Sequence, residues 1–178
     1  MTTPHYTGDP KQLVILKRLT VLIEGVTVAN GYDFNLAGKV YRGKTVFGAS
    51  EAVPFVSILE SLRPDPMPSE AGPEKTRREE DWELLVQGWG YSDASHPVDG
   101  LYRLKAAVEH RLSRIVALGD NGSPLYAGDY RLGRILTGAR IGPGVVRAAT
   151  PQTGGVEAFY LPVIARYVNN TLDPWVLA

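Results

Sequence analysis

Two amphipathic helical stretches stand far apart in this chain, and the residues between them follow the two-residue period of strands. From Lys11 to about Val26, Ile15, Leu19, Leu22 and Val26 recur at spacings of three and four, flanked by Leu16 and Ile23, while Lys17, Arg18 and Glu24 take the remaining face. Such spacing puts one apolar stripe on a helix, and Pro10 suits its first turn. From about Pro97 to Leu118, Leu101, Leu104, Val108, Leu112 and Ile115 form a second stripe, with Arg103, Lys105, Glu109, Arg111 and Arg114 outside it. Pro97 marks its start and Gly119 its end. Each helix is apolar on one side only, so each needs a second layer to cover that side.

Strands supply that layer. Gly38 to Thr45 is a short one, Pro54 to Glu60 a richer one, and Asp81 to Tyr91 mixes alternation with aromatics. After the second helix come Arg134 to Ile141, the bend Gly142-Pro143-Gly144, Val145 to Arg147, and finally Val156 to Tyr167, where Phe159, Leu161, Val163, Ala165 and Tyr167 share one side. Pro162 cannot donate a ladder hydrogen bond, which predicts an edge or a bulge there. Strands grouped in runs, rather than strictly alternating with helices, predict an α+β fold in the order α-β-β-β-α-β-β. The sheet is expected to be mainly antiparallel, with both helices packed on one of its faces.

The segment Leu62 to Glu80 lies between two strands expected to pair, yet it has four prolines, nine charged residues and only two large apolar ones. Such composition cannot bury enough surface to fold alone, so a solvated arm is expected, disordered in isolation. Two readings stay open: a tolerated surface insertion, or an arm that orders against a neighbouring subunit through residues such as Arg63, Asp65, Glu74, Arg77 and Arg78. The tail 169–178 runs from polar to apolar, so Trp175 and Leu177 need a surface to cover them, on this chain or another.

The 178 residues suit one domain, 1–178, with a substantial core. Nineteen basic residues balance nineteen acidic ones, so the whole chain has no electrostatic footprint for nucleic acid or an anionic membrane. The absence of Cys excludes disulfides, thiolate metal sites and Cys nucleophiles, and suits a reducing cytosol. No signal-peptide pattern opens the sequence and no apolar run is long enough to span a bilayer, which predicts an unexported protein with no membrane partner.

The residues Gly38-Lys39-Val40-Tyr41-Arg42-Gly43-Lys44-Thr45 match the Walker A pattern G-x-x-x-x-G-K-[ST]. That motif works when a buried strand leads in and a helix starts at its end, so that backbone amides and a lysine face the phosphates. Upstream, Asn30 to Asn35 reads as a turn; downstream, Gly48 and Pro54 interrupt any helix. The interior Lys39 to Arg42 alternates as a short strand does. A strand and its turn is therefore the expected reading, with a P-loop-type nucleotide-binding enzyme using Gly38, Gly43, Lys44 and Thr45 as the alternative.

Other chemistry is thin. His5, His96 and His110 have no metal-ligand spacing. Gly48-Ala49-Ser50-Glu51-Ala52 falls short of a nucleophile elbow, and Asp120-Asn121-Gly122 with Asp129 has the composition of a calcium loop without its spacing. Glu79, Glu80, Asp81 and Glu83, in or beside the polar arm, are expected to be solvated. No catalytic residue, cofactor or metal is assigned. Between Asp129 and Glu157 the charges are all basic, Arg131, Arg134, Arg140 and Arg147. This strip is either solvated or an interface with an acidic surface such as an adjacent copy's arm, where arginine suits bidentate pairing.

The run Leu19 to Asp33 (L-T-V-L-I-E-G-V-T-V-A-N-G-Y-D), Gly38 to Gly43, and Val53 to Glu60 (V-P-F-V-S-I-L-E) resembles the N-terminal half of the tail terminator proteins of long-tailed bacteriophages. Asp81 to Trp89 (D-W-E-L-L-V-Q-G-W), leading into Leu101 to Glu109, continues the likeness, which covers residues 11–118 and extends to other ring-forming neck or tail-completion adaptors. The resemblance implies an α+β virion protein and no enzyme. It implies a ring, usually of six copies, at the head-proximal end of the tail tube. That ring stops tube polymerisation, joins the head completion or connector protein, and lets DNA pass through its channel without sequence-specific contact. Assembly would take place in the host cytoplasm. The expected ring contacts are the arm, the Arg134 to Arg147 strip and Trp175 to Leu177. The resemblance assigns no individual functional residue.

Overall fold

The computed structural model describes residues 8–45, 52–60, 76–90, 95–148 and 157–175. Its class is α+β, with three helices and a mixed sheet of six strands. Helix α1 is Lys11–Glu24, followed by a 3-10 turn at Val28–Asn30. Strands β1 (Val40–Arg42), β2 (Phe55–Glu60) and β3 (Arg77–Trp89) precede α2 (Asp99–Ser113). The short turn α3 (Arg131–Arg134) leads into β4 (Gly138–Ile141), β5 (Val145–Arg147) and β6 (Ala158–Asn170). The sheet order is β1-β2-β3-β6-β4, with β5 also paired to β6.

The helical stripes go where their period directs them. Ile15, Leu19, Leu22 and Ile23 of α1 and Leu101, Leu104, Val108 and Leu112 of α2 join one buried cluster. Val40, Val56, Ile58, Leu84, Val86, Phe159, Leu161, Val163 and Ala165, which share one side of the sheet, complete it. Alternation along β3 and β6 sends Asp81, Glu83, Leu85, Tyr160, Pro162, Ile164 and Arg166 to the opposite side. Helix α1 has no basic residue in its own last turn, and Arg111 of α2 fills that role. Its Nε donates to the Leu22 carbonyl at 2.9 Å, placing a positive charge at the negative end of the helix.

The structure departs from the sequence expectations in five places. First, β1 runs parallel to β2, with Val40 opposite Val56, so the sheet is mixed. Residues 43–54 between these strands give the roughly dozen residues that a parallel connection needs. Second, β5 is a separate strand, which adds one to the expected order.

Third, Pro162 lies in an interior strand rather than at an edge. The other expectation, a bulge, is met, since residues 142–144 stand opposite only 161–162 between the pairs Ile141–Val163 and Val145–Tyr160. Its carbonyl accepts from the Gly142 amide at 2.9 Å. In a strand the N and the carbonyl of one residue point the same way, so the missing N–H faces Gly142 as well. There the neighbouring chain has left the ladder between Ile141 and Val145. A Cβ on Gly142 would fall 2.7 Å from Pro162 Cγ, and one on Gly144 would fall 3.0 Å from the Tyr160 carbonyl oxygen. The bend Gly142-Pro143-Gly144 is the counterpart of the proline.

Fourth, Arg134 is not in a strand. Arg131, Leu132, Gly133 and Arg134 have φ of 49°, 52°, 68° and 66°, a single left-handed turn. The three residues with side chains carry a cost of about 1–2 kcal/mol each. Burial of Leu132 and the bond from Arg18 Nη1 to its carbonyl at 2.5 Å offset it, together with the bond from the Arg131 amide to the Ile115 carbonyl. Fifth, β3 begins at Arg77, so Arg77 to Glu80 of the expected arm are strand residues, paired with Asn170, Asn169, Val168 and Tyr167. Residues 61–75 of that arm lie outside the described residues. Among the described residues, no helix is long and apolar enough to cross a membrane.

Candidate assembly surface

The side of the sheet facing away from the helices carries three zones in succession along β3 and β6. At one end lies an aromatic cluster. Phe55 stacks on Trp89 with ring centroids 4.8 Å apart, and Tyr41 meets Phe55 edge-on at 6.2 Å. Two cations border the cluster: Lys44 Nζ lies 4.3 Å from the Tyr41 ring centroid, and the Arg147 guanidinium 5.9 Å from that of Tyr160.

The middle zone is an apolar groove of about 640 Å³, floored by Leu59, Leu85, Pro162 and Ile164. Glu83 is exposed at its rim and makes no ion pair among the described residues, while Glu60, at the end of β2, alternates to the side of Ile58 and Leu84.

The third zone is a charge cluster. Arg166 grips Asp81 with two bonds, Nε to Oδ1 at 2.7 Å and Nη2 to Oδ2 at 2.9 Å. Arg140 Nη2 adds a third at 3.1 Å. The Arg166 hydrogen bond, with the charges of Arg166 and Arg140, holds the Asp81 carboxyl below its ordinary value against the opposing effect of burial. Next to it, Thr137 Oγ1 donates to Glu79 at 2.5 Å.

Through the sheet on the helix side, Glu80 accepts from Tyr167 OH at 2.7 Å, from Asn169 Nδ2 at 3.0 Å and from Arg78. Burial pushes Glu80 up, but the three hydrogen bonds and the Arg78 charge together outweigh it and keep the carboxyl low. Burial and the adjacent Glu80 push the Tyr167 phenol up. These are arrangements that hold charges still. Glu80 and Asp81 each face fixed donors.

Several expectations change here. Glu79, Glu80 and Asp81 are bonded rather than merely solvated; Glu83 alone of that group stands exposed with neither a side-chain hydrogen bond nor an ion pair among the described residues. Arg140 finds its acid on β3 of the same chain, Arg147 lies over Tyr160, and only Arg134 of that strip is exposed with no partner among the described residues. Arg78 bonds Glu80 two residues on, and Arg77 starts β3 as an exposed residue. Trp175 forms an isolated bridge with Pro10, beside the bond from the Lys11 amide to the Pro174 carbonyl at 2.8 Å, so this chain itself half-covers it. Arg63, Asp65, Glu74 and Leu177 lie outside the described residues, as do His5 and Ser50.

The Walker-like octet is a turn, a strand and a turn. Gly38 and Gly43 both have φ of 68°, and Val40 to Arg42 pair with Val56 to Ile58. The Gly43 amide donates to the Ile58 carbonyl at 2.8 Å and the Lys39 amide to the Leu36 carbonyl at 2.9 Å. Ser57 Oγ bonds the Lys44 carbonyl at 2.7 Å, and the Lys44 ammonium sits over Tyr41. Amides engaged in this way do not form the concave ring that cradles a phosphate. Asp120 to Gly122 form a tight turn closed by the bond from the Gly122 amide to the Gly119 carbonyl at 2.8 Å. His110 Nδ1 meets Tyr32 OH at 2.9 Å. No group of three or more His, Asp or Glu among the described residues is placed to hold a metal ion.

Fold and surface thus define an α+β protein with a mixed six-stranded sheet that shares a core with its helices and carries an apolar groove bordered by Glu83. Compared with protein-family models and with curated proteins, the sequence gives no match.

Proposed function

We propose that this protein is a structural assembly subunit of a phage tail, a terminator that forms a ring on the head-proximal end of the tail tube. The observation that carries the assembly reading is the sheet face turned away from the helices, where Leu59, Leu85, Pro162 and Ile164 floor a groove between an aromatic cluster and an ion-pair cluster. An antiparallel sheet commonly covers one face with helices and leaves the other polar and wet. A second face with a floor of this kind is suited to a protein partner. The phage assignment rests on the likeness of residues 11–118 to tail terminators. In this reading the two-helix layer and the open face are opposite sides of a subunit that meets unlike surfaces of its neighbours. A contact between unlike patches closes into a ring when rotation alone relates the copies. The ring matches the tube on one side and the head completion protein on the other, encloses passing DNA, and catalyses no reaction.

The experiment is a tube polymerisation assay. Purified protein is added to the tail tube protein encoded beside it, and tube length is scored by negative-stain microscopy. Short tubes with a ring at one end support termination; tube lengths unchanged at saturating protein contradict it.

A further inference from the structure

The groove on the open sheet face has a matching partner on the same molecule. Residues 117–125 form a small hairpin on the helix side: Leu118 bridges Pro124, the Leu125 amide donates to the Ala117 carbonyl at 3.1 Å, and the Gly119 amide to the Ser123 carbonyl at 2.8 Å. The Arg114–Asp129 ion pair at 2.6 Å and the bond from the Arg131 amide to the Ile115 carbonyl fasten its base to the end of α2. On this braced hairpin Leu118 is 49% exposed and Leu125 61%. Two leucines held out by a hydrogen-bonded loop lose little freedom on docking, which favours their use as anchors.

Charge points the same way. Arg131 and Arg134 lie on the left-handed turn that follows the hairpin, and Asp120 at the hairpin tip leaves one positive charge in excess. The groove rim carries Glu83, which is exposed and makes no ion pair among the described residues. Apolar anchors beside arginines thus complement an apolar floor beside a carboxylate. The two patches lie on opposite sides of the sheet, since the turn at Leu132 packs into the helix-side core and the groove opens on the other face. Such a pair cannot satisfy itself within one copy or in a two-fold dimer that uses one patch twice; it links copies head to tail.

We propose that the groove floored by Leu59, Leu85, Pro162 and Ile164 receives the Leu118–Leu125 hairpin of a second copy of this chain, with Arg134 meeting Glu83. The inference rests on the assembly reading above and names the contact that makes the ring.

The chain has no cysteine, so introduced pairs report cleanly. Glu83→Cys and Leu125→Cys are prepared separately and together in the full chain, and oxidised mildly. A mixture of the two single variants should give disulfide-linked dimers and nothing larger, whereas the double variant should give a ladder of multimers. In parallel, Leu125→Asp should weaken self-association about tenfold or more, as loss of a buried anchor does, while its melting temperature stays near that of the wild type. Association of the wild-type chain by native mass spectrometry without a cross-link in the mixture, and without weakening by Leu125→Asp, overturns the contact and leaves the assembly reading standing. A wild-type chain that never associates overturns both.

Discussion

Arg166 holds both carboxylate oxygens of Asp81, four sheet residues along from where Pro162 faces Gly142, and Arg140 closes the cluster from the next strand. The bond is between strands that are neighbours only because β6 lies inside the sheet. The groove floor and this ion cluster therefore share one rigid base. Exposed pairs contribute little on their own because water and salt screen them, so the cluster fixes geometry more than it adds stability.

Its titration is a first prediction, together with that of Glu80 on the other side. Asp81 and Glu80 are both held below their ordinary values of 3.8 and 4.5. A group whose folded pKa is depressed contributes stability above its unfolded value and loses it as pH falls through the lower folded one. Tyr167 is raised above its ordinary 10.0, so its contribution is complete below that pH and is lost as pH rises beyond it. The urea midpoint should therefore be level between 4.5 and 10.0 as far as these groups are concerned, and fall on both sides. Glu80→Gln should flatten the acid limb and Tyr167→Phe the alkaline limb, in each case with a lower plateau. Limbs unchanged in both variants would show that this network does not set the profile.

A second prediction concerns close approach. Gly88 is paired with Phe159, and a Cβ at position 88 would fall 2.2 Å from the ring. Phe159 is fully buried, so the ring has no room to swing away. Gly88→Ala should cost about 1–3 kcal/mol, as overpacking of a filled core does. Gly142→Ala, against the stiff ring of Pro162, should cost a similar amount. Gly122→Asn, at a turn with nothing near its Cβ position and φ of 73°, should be close to neutral because Asn tolerates that conformation. Denaturant midpoints order the three; a neutral Gly88→Ala would contradict the packing described.

Lys44 provides a third. Its ammonium lies over Tyr41 and the Gly43 amide before it is bonded to Ile58 of β2. Calorimetric titration with magnesium and ATP or GTP should give no heat of binding, and Lys44→Ala should lower stability only slightly, by about 0.5–1 kcal/mol for an exposed cation-aromatic contact. A magnesium-dependent affinity abolished by Lys44→Ala would reverse the reading of this segment.

Much of this fold could be read from the residues, for definite reasons. The stripe Ile15, Leu19, Leu22 and the stripe Leu101, Leu104, Val108, Leu112 each impose a helix because a 3.6-residue period has no other use. Alternation likewise marked β2, β3 and β6. Strand direction left no such trace, since alternation is the same read either way, and so β1 was not recognisable as parallel to β2. Nor did the left-handed turn leave more than Gly133, because Arg131, Leu132 and Arg134 are residue types that ordinarily avoid it. The run Arg77 to Asp81 looked solvated by composition, yet its partners Tyr167, Asn169 and Arg166 stand far along the chain and become visible only when β3 and β6 pair. The groove was missed for the same reason: Leu59, Leu85, Pro162 and Ile164 come from three strands, and nothing local announces that they share a face.

The central claim is that copies of this chain grip one another through unlike surfaces and close. Native mass spectrometry of the full chain across a range of concentrations tests it most directly. The account predicts one closed oligomer, six copies by the resemblance to tail terminators, with no open-ended series above it. A monomer at every concentration, or a ladder of sizes without an end point, would contradict it.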